Sequence, residues 1–239
     1  MNHVVNKKHG FTLIELLLAM SFISVLLIAI AMTVIQISNV YNRGVTLKDV
    51  NQAGRSISAE ITRSVGENPA FSIDPGPGDH FIKQDWGGRL CVGQYSYIWN
   101  FGSALNKNVG TELNIYDPNI PTTKTVPRFV KVLDPRSSYC QTPSKDINPN
   151  DAVELLNVGE HNLAMHNFTI STEPTAVDPK TGQRLYLIDF TLGTNDQEAL
   201  SFDSGLDTSC KPPGESGSDL NYCAVNNFAL TVRAGNSIK

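Results

Sequence analysis

Apolar side chains fall into three patterns along this chain. From Phe11 to Ile37 they run almost unbroken, FTLIELLLAMSFISVLLIAIAMTVIQI, with Glu15 the one charge. A bilayer core takes about 20 apolar residues as helix, so the run is long enough to span one. From Val40 the pattern changes. Val40, Leu47, Val50, Gly54, Ile57, Ile61 and Val65 recur at spacings of three, four and seven, while Arg43, Lys48, Asp49, Arg55, Glu60 and Arg63 mostly fall off that stripe. This is the amphipathic pattern of a helix with one packed face. The two stretches predict a single helix from Phe11 to about Val65, roughly 80 Å long at the helical rise. Gly66 and Asn68-Pro69 are its stop signals. Gly44 and Gly54 weaken it by about 1 kcal/mol each relative to Ala.

The third pattern is strand-like. Residues 67 to 88, with Asp74-Pro75-Gly76-Pro77-Gly78-Asp79, read as loop. After them come runs at Leu90–Trp99, Leu113–Tyr116, Phe129–Leu133, Val153–Val158, Leu163–Ser171, Leu185–Leu192 and Phe228–Val232. In YLIDFTL, Tyr186, Ile188, Phe190 and Leu192 point one way and Asp189 and Thr191 the other. The loop Glu173–Gln183 joins two of these runs as a long hairpin. Residues 134–151 and 203–222 are long loops, each with a cysteine. Tyr95, Tyr97 and Trp99 alternate on one strand, and a core face is the simpler reading of them than a ligand platform. The expected fold class is α+β: a long N-terminal α-helix whose second half packs on one antiparallel β-sheet.

The chemistry at the N-terminus narrows the reading. MNHVVNKKHG precedes the apolar run and puts Lys7 and Lys8 beside it. Basic residues stay on the cytoplasmic side, which sets the N-terminus in and the C-terminal body out. Each adds about 1 kcal/mol of attraction to an anionic leaflet. A secretory signal peptide has a shorter apolar core and a small-residue cleavage site, and no such site follows Ile37. A plain signal anchor leaves Glu15 unexplained, since a carboxylate within an apolar span costs about 2.5–3.5 kcal/mol on insertion scales.

KKHG-FTLIEL resembles the prepilin-type signal shared by type IV pilins and the pseudopilins of type II secretion. Its elements are a short basic leader ending in glycine, then Phe, then Glu at the fifth mature position, then an apolar helix. The resemblance implies cleavage after Gly10 by a membrane aspartyl prepilin peptidase, which methylates the new amino group of Phe11. That amine has a pKa near 8 and is mostly charged at neutral pH. Among apolar helices an unpaired charge is costly, and Glu15 of a neighbouring subunit can pair with it. Such a pair sets register more than it adds stability. The implied division is a leader at 1–10, a membrane or filament-core helix at 11–37, an amphipathic continuation at 38–66 and an extracytoplasmic β-rich domain at 67–239. No proline occurs before Pro69, whereas many major pilins carry one in the membrane half of the helix. That leans towards a minor pilin or a pseudopilin. QAGRSISAEITRSV also resembles the helix end of W-type minor pilins and J-type pseudopilins.

The implied function is a structural filament subunit, with the peptidase, other pilin subunits, the assembly platform and the inner membrane as partners. The protein would start as a single-pass inner-membrane protein and end in a surface or periplasmic filament. The alternative is a membrane-anchored adhesin or ligand-binding ectodomain shown at a filament tip.

The net charge of −4 gives the chain no overall attraction for nucleic acid. Cys91, Cys140, Cys210 and Cys223 all lie beyond the apolar run, and none stands in a CxxC pair, against zinc ribbons and thioredoxin chemistry. An even number fits two disulfides in an oxidising compartment. Four reduced, buried thiols are the other reading. Of the three possible pairings, Cys210–Cys223 with Cys91–Cys140 is favoured. The first closes a loop of about fourteen residues, worth roughly 3 kcal/mol in chain entropy, and a loop of this kind near the C-terminus resembles one in many pilins.

Enzymatic patterns are lacking: there is no GxSxG, SxxK, HExxH or Walker A, so no catalytic residue and no cofactor is assigned. His161 and His166 are five apart and would face opposite sides of a regular strand, which opposes a metal site. His80 reads as a solvated loop residue. Asp196, Glu198, Asp203 and Asp207 suit calcium by ligand type, but no EF-hand pattern accompanies them. They read as a solvated acidic loop, and no metal is assigned. Asn167-Phe168-Thr169 matches a glycosylation sequon inside a strand, which reads as chance with Phe168 in the core.

Overall fold

The computed structural model describes residues 12–74, 80–105, 115–116, 124–141, 146–156, 162–178, 180–202, 208–219 and 221–235. The chain separates into two compact units, one up to Asn42 and one from Arg43 onwards.

Helix α1 runs Leu13–Glu67. Between Leu13 and Ile37 every large apolar side chain is exposed. The three hydroxyls there satisfy themselves. Ser21 Oγ donates to Leu18 O, Ser24 Oγ to Met20 O and Thr33 Oγ1 to Ala29 O, at 2.8 to 2.9 Å. Such back-bonding hides hydroxyls from an apolar surrounding. At the other end the Asn68 N–H donates to Val65 O and its Nδ2 to Ser64 O, capping free carbonyls before Pro69.

From Arg43 onwards α1 buries Thr46, Val50, Gly54, Ile57, Ile61, Ser64 and Val65. The stripe is the expected one except at its start. Val40 is 74% exposed, because packing begins only in the second unit.

The remaining elements are β1 (Phe81–Gln84), β2 (Gly87–Val92), β3 (Tyr95–Asn100), α2 (Gly102–Leu105), β4 (Ile115–Tyr116), β5 (Lys124–Thr125), β6 (Phe129–Leu133), α3 (Ser138–Gln141), β7 (Ala152–Glu154), β8 (Leu163–Val177), β9 (Arg184–Thr194), β10 (Leu200–Phe202), β11 (Thr208–Cys210) and β12 (Val225–Arg233). They form a five-stranded sheet in the order β1-β2-β3-β6-β7, a three-stranded sheet β12-β9-β8, and two small hairpins, β4-β5 and β10-β11. Every pair is antiparallel.

The α+β class stands, with several corrections of detail. The described strands form separate sheets rather than one, and an isolated bridge from Phe101 to Met165 links the two larger ones. The run Leu90–Trp99 is a hairpin and not a strand. Gly93 takes φ +60° at its turn, a left-handed conformation that favours glycine. The supposed loop before residue 88 contains β1, and 75–79 lie outside the described residues. The supposed loop 203–222 contains β11. The run from Val153 ends as a strand at Glu154, and that at Leu163 extends to Val177.

One core joins the α1 stripe to both sheets. It takes Ile57 and Ile61 from the helix, Leu90, Tyr97, Trp99 and Phe129 from the five-stranded sheet, and Phe168, Tyr186, Ile188 and Phe190 from the three-stranded sheet. Burying each such side chain contributes about 1.5–3 kcal/mol. Tyr97 and Trp99 are fully buried core residues. Gly54 lets the helix approach the sheet, since a Cβ there would lie 2.0 Å from Phe228 Cζ. A second, smaller core of Ile98, Val130, Val132, Tyr139 and Ile147 covers the opposite face of the five-stranded sheet.

Candidate functional site

Among the sequence-derived processing residues, Lys7, Lys8, Gly10 and Phe11 lie outside the described residues. Glu15 is described, at the start of α1. Its Oε2 accepts the Thr12 N–H and the Thr12 Oγ1–H, each at 2.9 Å, and the Glu15 N–H donates to Thr12 Oγ1 at 3.3 Å. This is a capping box, in which N-cap threonine and third-position glutamate satisfy each other's free N–H groups. Its signal is local and present in the sequence, Thr12-x-x-Glu15 before an apolar run. Both bonds to the carboxylate fall on Oε2, which leaves Oε1 an open acceptor among the described residues.

The apolar first half of α1 is the other half of the site. Side chains left in water over such a length would forgo their burial energy, so this surface calls for a bilayer or partner helices. Among the described residues one helix is long and apolar enough to cross a membrane, and it is α1.

Where α1 meets the five-stranded sheet, Glu60 gathers three donors. Lys131 Nζ lies 2.6 Å and Tyr97 Oη 2.9 Å from Oε1, and Arg63 Nη2 is 2.7 Å from Oε2. Burial raises the Glu60 carboxyl. The bonds from Lys131 and Tyr97 and the charges of Lys131 and Arg63 outweigh it and hold the group below its ordinary value. Lys131 also sits 3.7 Å from the centre of the half-buried Tyr95 ring. Glu60 lies outside the apolar stripe, and its role depends on strands far along the chain, so periodicity alone could not reveal it.

The structure joins Cys91 to Cys140 and Cys210 to Cys223. The first bond ties β2 to α3. Asp134 holds the same helix by accepting from Ser138 Oγ, the Tyr139 N–H and Ser96 Oγ at 2.8 to 3.0 Å. The second ties β11 to the chain just before β12.

The remaining candidates do not converge. His161 lies outside the described residues, as do Asp203 and Asp207. His166 is the extra residue of a β-bulge: Met165 pairs with Leu192 and Asn167 with Thr191. The strand is therefore not regular there, and the bulge lets Met165 and Phe168 both face the core. His166 Nε2 is 3.0 Å from Thr194 O, which can only accept, so Nε2 carries the proton. Burial pushes this imidazole down to about 4. His80 is half-buried with Nδ1 2.8 Å from Cys91 O, not a free loop residue. Asp196 Oδ1 accepts the Glu198 N–H in a local turn. Among the described residues no group of His, Cys, Asp and Glu is placed to hold a metal ion. Phe168 is fully buried, as the sequon reading required.

Residues 5–35 match the family model of the prokaryotic N-terminal methylation motif. The match takes in residues 5–10 of the expected leader with Lys7, Lys8 and Gly10, then Phe11, Glu15 and most of the apolar stretch, and it supports a precursor of type IV pilin-like or pseudopilin kind. It implies processing by a prepilin peptidase and assembly with other pilins, and with the apolar helix it points to membrane anchoring. Proteins with this motif are structural rather than enzymatic. No curated protein and no solved structure gives a significant match to the chain.

Proposed function

From that motif we propose that the chain is a minor pilin or pseudopilin, a subunit of a type IV pilus-like filament. Prepilin peptidase cuts after Gly10 and methylates Phe11. The mature chain waits in the inner membrane with Phe11–Ile37 in the bilayer, its N-terminus at the cytoplasmic face and its β-rich part outside. The assembly platform then moves it into a filament, where lipid around the helix is exchanged for the apolar helices of neighbours.

The observation that carries this reading is the methylation motif running directly into an exposed apolar helix whose single carboxylate stands at the fifth mature position. Glu15 serves two ends. Oε2 closes the helix cap, and Oε1 accepts the ammonium of a neighbour's Phe11. Pairing both charges removes two burial costs and selects one axial register.

The test is where the protein travels. Sheared filament fractions and membrane fractions should both contain it, and antibody along isolated filaments should mark its position. Its absence from filaments, and from complexes with other pilins, contradicts the proposal. A signal confined to the tip would favour an adhesin or initiator role.

A further inference from the structure

Within the second unit, a cleft of about 380 Å³ opens where the last turns of α1 meet β3 and β6. Glu60, Arg63 and Glu67 line it from the helix, Asn68 and Gln94 from the turns beside it, and Tyr95 and Lys131 from the sheet. Local geometry aims these groups at one space. Glu60 and Glu67 are seven apart, two turns along one helix face, with Arg63 on the turn between. The register pairs Tyr97 with Lys131 and Tyr95 with Leu133, so Tyr95, Tyr97 and Lys131 share the side of the sheet that meets α1. At the β2–β3 turn Gly93 leaves room for Asn68, whose Oδ1 would lie 2.0 Å from an added Cβ.

Two acids and two bases line this cleft, so its walls carry no net charge. Glu60 compensates both bases, at 2.6 Å from Lys131 and 2.7 Å from Arg63. The groups still open are of mixed kind. Among the described residues the Glu67 carboxylate and the Gln94 side-chain amide make no hydrogen bond, Asn68 Oδ1 accepts none, and Arg63 uses only Nη2. An uncharged ligand that meets donors and acceptors together is a polyhydroxyl compound, because each hydroxyl both donates and accepts. The half-buried Tyr95 ring, with Lys131 Nζ 3.7 Å from its centre, offers an apolar wall to the C–H surface of a sugar ring. The volume lies within the usual range for small-molecule sites, roughly 300–1,000 Å³. Most such sites are apolar, whereas this one is mostly polar, which again favours a hydroxyl-rich ligand.

We propose that this cleft binds a neutral saccharide. Tyr95 packs against the sugar ring, and Arg63, Glu67, Asn68 and Gln94 bond its hydroxyls. The site goes beyond the filament reading above and does not depend on how the chain is anchored or assembled.

The test uses the full mature chain in a sugar-free phosphocholine detergent. It is applied to a printed panel of neutral hexoses, N-acetylhexosamines and their disaccharides, with sialylated and sulfated saccharides alongside. Wild type should bind at least one neutral member. Tyr95→Ala should weaken that binding about tenfold, as removal of an aromatic anchor does. Gln94→Ala should weaken it about fivefold, the weight of one hydrogen bond. Tyr222→Ala, at an exposed tyrosine outside the cleft, should bind as wild type does. If Tyr95→Ala does not fold, Gln94→Ala decides the matter, since that side chain is exposed and unbonded among the described residues. No binding to any neutral member overturns the proposal, and so does binding that the folded cleft variants leave unchanged. Binding confined to sialylated or sulfated members also overturns it, by giving the cleft to an anion. Cleft-dependent binding by a protein that never enters filaments keeps this proposal and sinks the filament reading alone.

Discussion

Glu15 caps its own helix, and in the proposed filament it also offers a charge to a neighbour; two substitutions separate these tasks. Gln at the third helical position still closes a capping box, so Glu15→Gln keeps the cap and removes only the charge. Glu15→Leu removes both, and it relieves an insertion cost of about 2.5–3.5 kcal/mol. If the pair with Phe11 matters, both variants stay cleaved and membrane-bound, and both are depleted from sheared filaments. Leaving one charge of a buried pair unmatched costs about 3–5 kcal/mol. Normal filament entry by Glu15→Gln would reduce Glu15 to a cap. His166 makes a separate prediction at the same scale. Its folded pKa of about 4 lies below the ordinary 6.5. Between those values the unfolded chain binds a proton that the folded chain refuses. Stability from this group is therefore complete above about pH 6.5 and declines as the pH falls towards 4, by up to about 3 kcal/mol. Thermal unfolding of detergent-solubilised protein across that range should show the decline, and His166→Gln should flatten it. Equal slopes would mean the imidazole is not buried neutral.

Along α1, two glycines that look alike in the sequence should respond in opposite ways to the same change. Helix propensity alone says that Gly44→Ala and Gly54→Ala each stabilise by up to about 1 kcal/mol. At Gly44 nothing lies within 4 Å of an added Cβ, so that gain should appear. At Gly54 the methyl would meet the Phe228 ring, which stacks on Phe190 at 5.1 Å. Displacing it should cost about 1–3 kcal/mol, so Gly54→Ala should melt lower than wild type while Gly44→Ala melts no lower. Two variants that melt alike would refute this packing. The helix was legible in the sequence because its periodicity is local, and so was the buried face Tyr186, Ile188, Phe190 and Leu192. The break at Gly93 did carry a signal, the Gly93-Gln94 pair between LCV and YSYIW, whereas the bulge at His166 has none because it depends on the partner strand β9. Short edge pieces such as β1 and β11 were lost among Gly, Pro and Ser, which mark turns without marking what lies between them.

For the whole molecule, the sequence spoke clearly at its two extremes of order. A long apolar run with one charge and a basic leader is unusual enough to indicate an anchor and a processing signal. Four cysteines beyond the apolar run limit how the distant loops can be tied. What remained illegible was how the strands divide into sheets, because hydrogen-bond partners far apart in the chain leave no periodic trace. The Glu60 network is the same case, joining α1 to Tyr97 and Lys131 on two strands of one sheet. All of these features bear on one central claim, that the chain is a processed prepilin-type subunit and not a plain anchored protein. The N-terminal peptide tests it most directly. Mass spectrometry of protein from a strain with an active prepilin peptidase should give a chain that begins at Phe11 and carries one methyl group on its amine. A chain that keeps Met1 or Gly10, or one cut beyond Ile37, would contradict the claim.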